Sequence, residues 1–264
     1  MRILEKNQTA ADEARARGAM YALLAWAWRY PNQETISTLR ALLSGCLNGS
    51  SSGLLDDHTQ EALGSLAKAF PEEDGLDLTL SVRYSELFGH AVRGTCPLYE
   101  LEYGQAEIVQ QAGELADIAG FYSAFGLECT QESMERVDHV SVECEFMSVL
   151  CAKYATGVLS NGTDLMDACF DGQRTFLRDH LTRWFLAFCS RVAKANGDGV
   201  YGCFARLGAA FLACECRAFG ITTGPEYLEL RSVDPDADTE IQCGPLAGEQ
   251  LVPLTVGGLE TGGE

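Results

Sequence analysis

The chain has 264 residues, 47% of them hydrophobic, and its 38 acids against 19 Lys and Arg give a formal net charge of −19 and a pI near 4.5. A chain of this length can bury a substantial core. Its charge excludes a nucleic-acid binder, which needs clustered cations for phosphates, and favours cationic partners or substrates. Apolar spacing predicts a first amphipathic helix over 9–30, with Ala16, Met20, Leu23, Leu24, Ala27 and Trp28 on one side and Pro31 as its stop. Helical patterning then recurs over 33–43, 57–70, 76–88, 102–125, 140–156, 164–196 and 201–219. The runs are separated by GCLNGSSSG (45–53), GHAVRGTCP (89–97), GVLSNG (157–162) and NGDG (196–199).

No run shows sustained period-two alternation, so the expected class is all-α: one helical-bundle domain over 1–220 and an acidic, mostly irregular C-terminal extension over 221–264, with room for a short hairpin. From Glu226 to Glu264 there are nine acids and one base, Arg231, a composition expected to stay solvated. The eleven cysteines are scattered singly through apolar helical segments, as reduced core thiols would be. Cys214 and Cys216 on one helix would point about 200° apart, a poor clamp for a metal. The N-terminal segment lacks the apolar core of a signal peptide, and the apolar run 19–28 is too short to span a bilayer. A cytoplasmic protein without stable membrane insertion is the expectation. No Gly-rich phosphate loop occurs.

Two stretches carry candidate chemistry. In ERVDHVSVECEFM (135–147), Asp138 is placed to cap a helix beginning near Val140. In the same stretch His139 and Glu143 stand one turn apart, a workable spacing for two ligands of a metal-dependent hydrolase. The remaining histidines, His58, His90 and His180, are isolated, so a third ligand is not evident. In YSELFGHAVRGTCPLYELEYG (84–104), a helix ends near Phe88, and Tyr99, Glu100 and Tyr103 are expected to begin the next one. Aromatic rings beside carboxylates around a Gly/Pro loop suit a groove for a peptide with apolar and cationic side chains, since Arg pairs with the acid and stacks on the rings; they equally suit a buried aromatic core.

Together these stretches resemble the TorD/DmsD/NarJ family of cytoplasmic chaperones for molybdoenzymes. The resemblance rests on Tyr84-x-x-Leu-Phe-Gly, then Pro97-x-Tyr-Glu-x-x-Tyr, then Glu135-x-x-Asp-His with Glu-Phe-Met downstream. It is joined by an opening helix with Arg17, Tyr21, Leu24 and Pro31, and by FLRDHLTRWFLAF at 176–188. It covers about residues 10–220, and GTCPLYELEYG is most similar to the branch serving type II dimethyl-sulfoxide-reductase-like enzymes. The chain departs from the family pattern at Phe88-Gly89-His90, where many members have Gly-Pro-Gly, and at Val137, where they have Pro.

The resemblance implies an all-helical protein without catalytic turnover and without a cofactor or metal of its own. Its partner would be the catalytic subunit of a molybdopterin-containing oxidoreductase, bound through its twin-arginine leader or as the apo-protein and held until cofactor insertion permits export or assembly. It further implies a monomer or a dimer. By match to the family motifs, Asp138 and His139 fall on the pair associated with leader recognition, with Glu143 beside them. Tyr84, Phe88, Pro97, Tyr99, Glu100 and Tyr103 fall on the segment lining the groove.

Overall fold

The computed structural model describes residues 2–49, 55–71, 75–89, 93–104, 108–128 and 135–231, with the side chains of 6–49 and 111–128 in the first and fifth of these segments. His90 and residues 232–264 of the expected extension lie outside the described residues. The helices are α1 (Arg2–Ala27), α2 (Gln33–Gly49), α3 (Asp57–Ala69), α4 (Leu76–Phe88), α5 (Ile108–Ala124), α6 (Val140–Ser160), α7 (Thr163–Phe176), α8 (Thr182–Asn196) and α9 (Val200–Phe219). Among the described residues there is no β-strand, only isolated bridges, and no helix is long and apolar enough to cross a membrane. The all-α expectation holds.

Local chemistry sets several boundaries. The first helix stops short of Pro31, and Asn32 then caps α2 by accepting from Thr35 N at 2.8 Å. Asp56 does the same for α3, accepting from Thr59 N at 2.9 Å. The expected helix over 164–196 is interrupted by one π-helical turn, Leu177–Leu181, which divides it into α7 and α8. Residues 99–103 are not the start of a helix: Tyr99 and Tyr103 are extended and only Glu100–Glu102 forms a 3-10 turn, with α5 beginning at Ile108.

At the centre lies α6, which buries residues around most of its circumference and leaves one stripe, with Glu145, Ala152, Thr156 and Leu159, exposed. Along one side it meets α1, where Gly18 allows the backbones to close: a β-carbon there would stand 3.2 Å from that of Cys151, and Ser148 Oγ donates to Gly18 O at 2.9 Å. Trp28, fully buried, stacks edge-on against Phe188 with ring centroids 4.8 Å apart and touches Phe88 and Phe204, joining α1, α4, α8 and α9 in one core. The first and last helices are also joined by charge. Arg17 grips Glu215 with two bonds of 2.7 and 2.6 Å, Tyr21 Oη donates to the same carboxylate at 3.0 Å, and Gln173 accepts from the guanidinium at 2.9 Å. Nine cysteines are described, all as free thiols, and eight of them are buried.

Candidate functional site

The segment 98–104, extended but for the 3-10 turn at Glu100–Glu102, runs between residues 138–140 and residues 229–231 and is held on both flanks by backbone bonds. On one flank Glu100 N donates to Asp138 O (2.9 Å) and Val140 N to Leu98 O (2.8 Å). On the other, Gly104 N donates to Glu229 O (2.8 Å) and Arg231 N to Glu102 O (3.0 Å). Because the 3-10 turn at Glu100–Glu102 repeats side-chain direction about every three residues, the segment serves two cavities, Tyr99 and Glu102 lining one, Glu100 and Tyr103 the other.

The first cavity has a volume of about 420 Å³. Its aromatic wall comes from Tyr30 after α1, Tyr84 and Phe88 on α4, and Tyr99; Tyr84 packs edge-on against both Tyr30 (5.5 Å) and Phe88 (4.8 Å). Pro97, Leu98 and Gly89 complete the apolar part, and Arg93, Glu102, Glu135 and His139 supply the polar groups. Arg93 Nε lies 2.8 Å from Glu102 Oε2. Tyr99 Oη donates to Glu135 at 2.9 Å, and the Arg136 guanidinium covers the Tyr99 ring at 4.6 Å.

His139, only 1% exposed, occupies the inner wall. It, and not Asp138, caps α6: its Nδ1 accepts from Ser141 N at 3.1 Å and lies 2.7 Å from Ser141 Oγ. An accepting Nδ1 leaves the proton on Nε2. That Nε2–H has no hydrogen-bond partner, the nearest acid being Glu135 at 3.7 Å. Burial, aided by Arg29 and Arg136 and opposed by Asp138, lowers the imidazole to about 3, so at neutral pH it is an uncharged donor facing the cavity.

Asp138 is fully buried and already committed. Its carboxylate takes two bonds from Arg136 (2.9 and 2.7 Å) and one from Leu101 N (3.2 Å), so it fixes the 98–104 segment and is not presented to the cavity. The sequence expectation of Asp138 as the cap of α6 is corrected, since His139 takes that place.

Glu143 is fully buried and lines neither cavity. It accepts from Trp184 Nε1 at 3.2 Å; burial and then the Glu100 and Asp138 charges raise it well above the usual carboxylate range. Glu100 is bonded in turn to His180 Nδ1 at 3.2 Å. His139 and Glu143 thus face different partners, and among the described residues no group of three or more His, Cys, Asp or Glu could hold a metal ion. The geometry does not assemble the metal-dependent hydrolase that their spacing allows.

Of the sequence-derived candidates, Tyr84, Phe88, Pro97, Tyr99 and His139 come together around the first cavity. Glu100 and Tyr103 line the second, of about 360 Å³, with Trp184, Arg183 and Arg231. Tyr30, Arg93, Glu102 and Glu135 join the first cavity without being sequence candidates; each flanks or falls within a motif, and an acid or base in a loop carries no periodic signal of its own.

Comparison with known proteins gives the geometry its context. The sequence profile of a family described as nitrate reductase delta subunit matches residues 52–190, over half of the chain. A perchlorate reductase assembly chaperone protein from Dechloromonas aromatica (strain RCB) is 29% identical over 183 residues, covering 66% of this chain and 76% of its own. Chaperone protein TorD of Vibrio cholerae (strain N16961) is 25% identical over 186 residues, covering 70% and 78%. A crystal structure described as a redox enzyme maturation protein from Archaeoglobus fulgidus aligns at 25% identity and a TM-score of 0.46, over 74% of this chain and 93% of that one. The chain belongs to the nitrate reductase delta subunit family, the TorD/NarJ/DmsD family of chaperones.

Proposed function

We propose that this protein is a maturation chaperone whose client is the catalytic subunit of a molybdopterin oxidoreductase, and that its first cavity takes the twin-arginine leader of that subunit in the cytoplasm, before cofactor insertion and export. The names of the relatives, chaperones and not enzymes, support the general role. The observation that carries the leader reading is the buried, unpartnered Nε2–H of His139, set beside the Glu135 carboxylate in an aromatic cavity.

The chemistry divides by group. A neutral imidazole N–H repels a guanidinium and suits a peptide carbonyl, so His139 would hold the leader backbone. Glu135 and Glu102, at the cavity wall, would accept from the arginines, and the rings of Tyr99 and Tyr84 would stack on guanidinium planes or cover apolar side chains. Asp138, by holding Leu101 N and Arg136, positions these groups without touching the peptide.

Titration calorimetry with a synthetic Arg-Arg leader peptide tests the reading. His139→Ser keeps a capping oxygen for α6 and removes the imidazole N–H from the cavity wall, and Glu135→Gln removes the charge; each should weaken binding about tenfold, the scale of one hydrogen bond to a charged or desolvated group. Unchanged affinity in both variants would refute the assignment of this cavity.

A further inference from the structure

After α9 ends at Gly220, the chain returns across the protein as a strap over 221–231. Its last residue, Arg231, donates its N–H to Glu102 O at 3.0 Å and accepts from Arg93 Nη1 at 2.7 Å, so the side of the first cavity formed by Glu102 and Arg93 is already covered. The side formed by α4 is different. Leu76, Leu80, Tyr84, Leu87 and Phe88 turn one face of this helix into the core, while Leu78 and Val82, 71% and 62% exposed, are the two most exposed large aliphatic side chains among the described residues.

Single exposed aliphatics need no explanation, but these two belong to a continuous stripe. Leu78, Ser81, Val82, Ser85 and Gly89 follow the i, i+3, i+4, i+7, i+11 spacing and fall within an arc of about 100°. Its two hydroxyls are turned back into the helix, Ser81 Oγ donating to Leu78 O and Ser85 Oγ to Ser81 O, both at 2.9 Å, so the stripe makes no polar demand on a partner. One edge of the arc is the polar ridge of Thr79, Arg83 and Glu86, the last two paired at 2.7 Å. The other edge is Tyr84 and Phe88, which are the cavity's own wall, and Gly89 at the end of the stripe also lines the cavity. The apolar stripe is therefore continuous with the cavity, and it runs about 16 Å from Gly89 back to Leu78.

A cavity of about 420 Å³ takes a few side chains, whereas the apolar stretch of an export leader runs to about 7–15 residues and must lie outside it. Coiled as a helix of about 11 residues, that stretch has the length of the stripe. We propose that the outer face of α4 is the docking track for the apolar stretch of the bound leader, laid helix against helix on Leu78 and Val82 while its arginines occupy the first cavity. This rests on the reading of the cavity as the leader site, and the test separates the two.

Two fluorescently labelled synthetic peptides are titrated, an Arg-Arg leader with its apolar stretch and one of equal length with that stretch replaced by Gly and Ser. The full chain is compared with the double variant Leu78→Gln, Val82→Gln, whose replacements suit an exposed helix position, and with Glu135→Gln, at about 20 mM and about 500 mM salt. The α4 variant should bind the apolar peptide about tenfold more weakly at both salt concentrations, the scale of covering one or two aliphatic side chains, and the Gly/Ser peptide as well as the parent does. Glu135→Gln should weaken both peptides at low salt and much less at high salt. Equal affinity of parent and α4 variant for the apolar peptide, with Glu135→Gln still weakening it, would overturn the inference and leave the cavity reading intact. A loss confined to the α4 variant, with Glu135→Gln matching the parent, would overturn the cavity reading and leave α4 as an apolar docking face. A parent that sediments as a dimer and an α4 variant that sediments as a monomer, with equal leader affinity, would assign the face to a second copy of the chain and overturn the inference.

Discussion

The buried cap of α6 makes a prediction that can be worked through quantitatively. In the unfolded chain His139 titrates near its ordinary value of 6.5; in the folded protein burial holds it at about 3. The unfolded state therefore binds the proton first as pH falls, so stability is fully present above about 6.5 and is lost progressively down to about 3. The slope is about 1.4 kcal/mol per pH unit, and the full window amounts to about 5 kcal/mol. Glu143 acts oppositely: raised well above its ordinary 4.5 by burial, it contributes stability that is present below 4.5 and is lost as pH rises through its folded value. Just above about pH 4.5 the two slopes therefore have opposite signs. Replacing His139 with Ser should make the slope of stability against pH more negative by about 1.4 kcal/mol per unit between about pH 3 and 6.5, and Glu143→Gln should make it more positive above about pH 4.5. Urea unfolding across this pH range measures both, with the constant cost of each substitution dropping out of the slope. Parallel curves for parent and His139→Ser, or an imidazole resonance of His139 titrating near 6.5 in the folded protein, would refute the reasoning.

Other substitutions test other links. Glu215→Gln leaves Arg17 buried without its anion and should cost about 3 kcal/mol in urea unfolding, whereas Glu86→Gln, at an exposed pair with Arg83, should cost under about 0.5 kcal/mol; similar costs for the two would contradict the inter-helix role of the buried pair. A β-carbon at Gly224 would stand 1.6 Å from Thr182 O, so Gly224→Ala should lift the strap from α8 and speed proteolysis within 221–231 while the helical signal persists; an unchanged cleavage pattern would show that the strap tolerates the shift.

The helices are legible in the sequence because an enclosed or amphipathic helix writes its burial into the 3.6-residue period. Leu76–Phe88 matches the expectation to the residue, and the start of α6 at Val140 is marked by the polar residues before it. The site is legible only in part. Tyr84, Phe88, Pro97, Tyr99 and His139 converge as the motifs imply, yet the orientation of each group depends on partners distant in the chain. Asp138 faces inward because Arg136 and Leu101 N satisfy it there, and His139 caps because its Nδ1 reaches Ser141 N, a choice that the adjacent Asp-His pair leaves open. The start of α5 falls later than its sequence pattern predicts because YELEYG has helical composition, while bonds from Asp138 and the strap hold it as a single 3-10 turn between extended Tyr99 and Tyr103, a case of long-range pairing overriding local propensity.

The bond between Arg17 and Glu215 spans 198 positions of the chain. During synthesis α1 leaves the ribosome long before α9 exists, and at about 5–20 residues per second the delay is about 10–40 seconds. Throughout that interval the guanidinium of Arg17 and the apolar face of α1 that meets α9 have no native partner to close on. The native fold is thus a late event, completed only after α9 has emerged, and before that the nascent protein is itself a candidate for assisted folding.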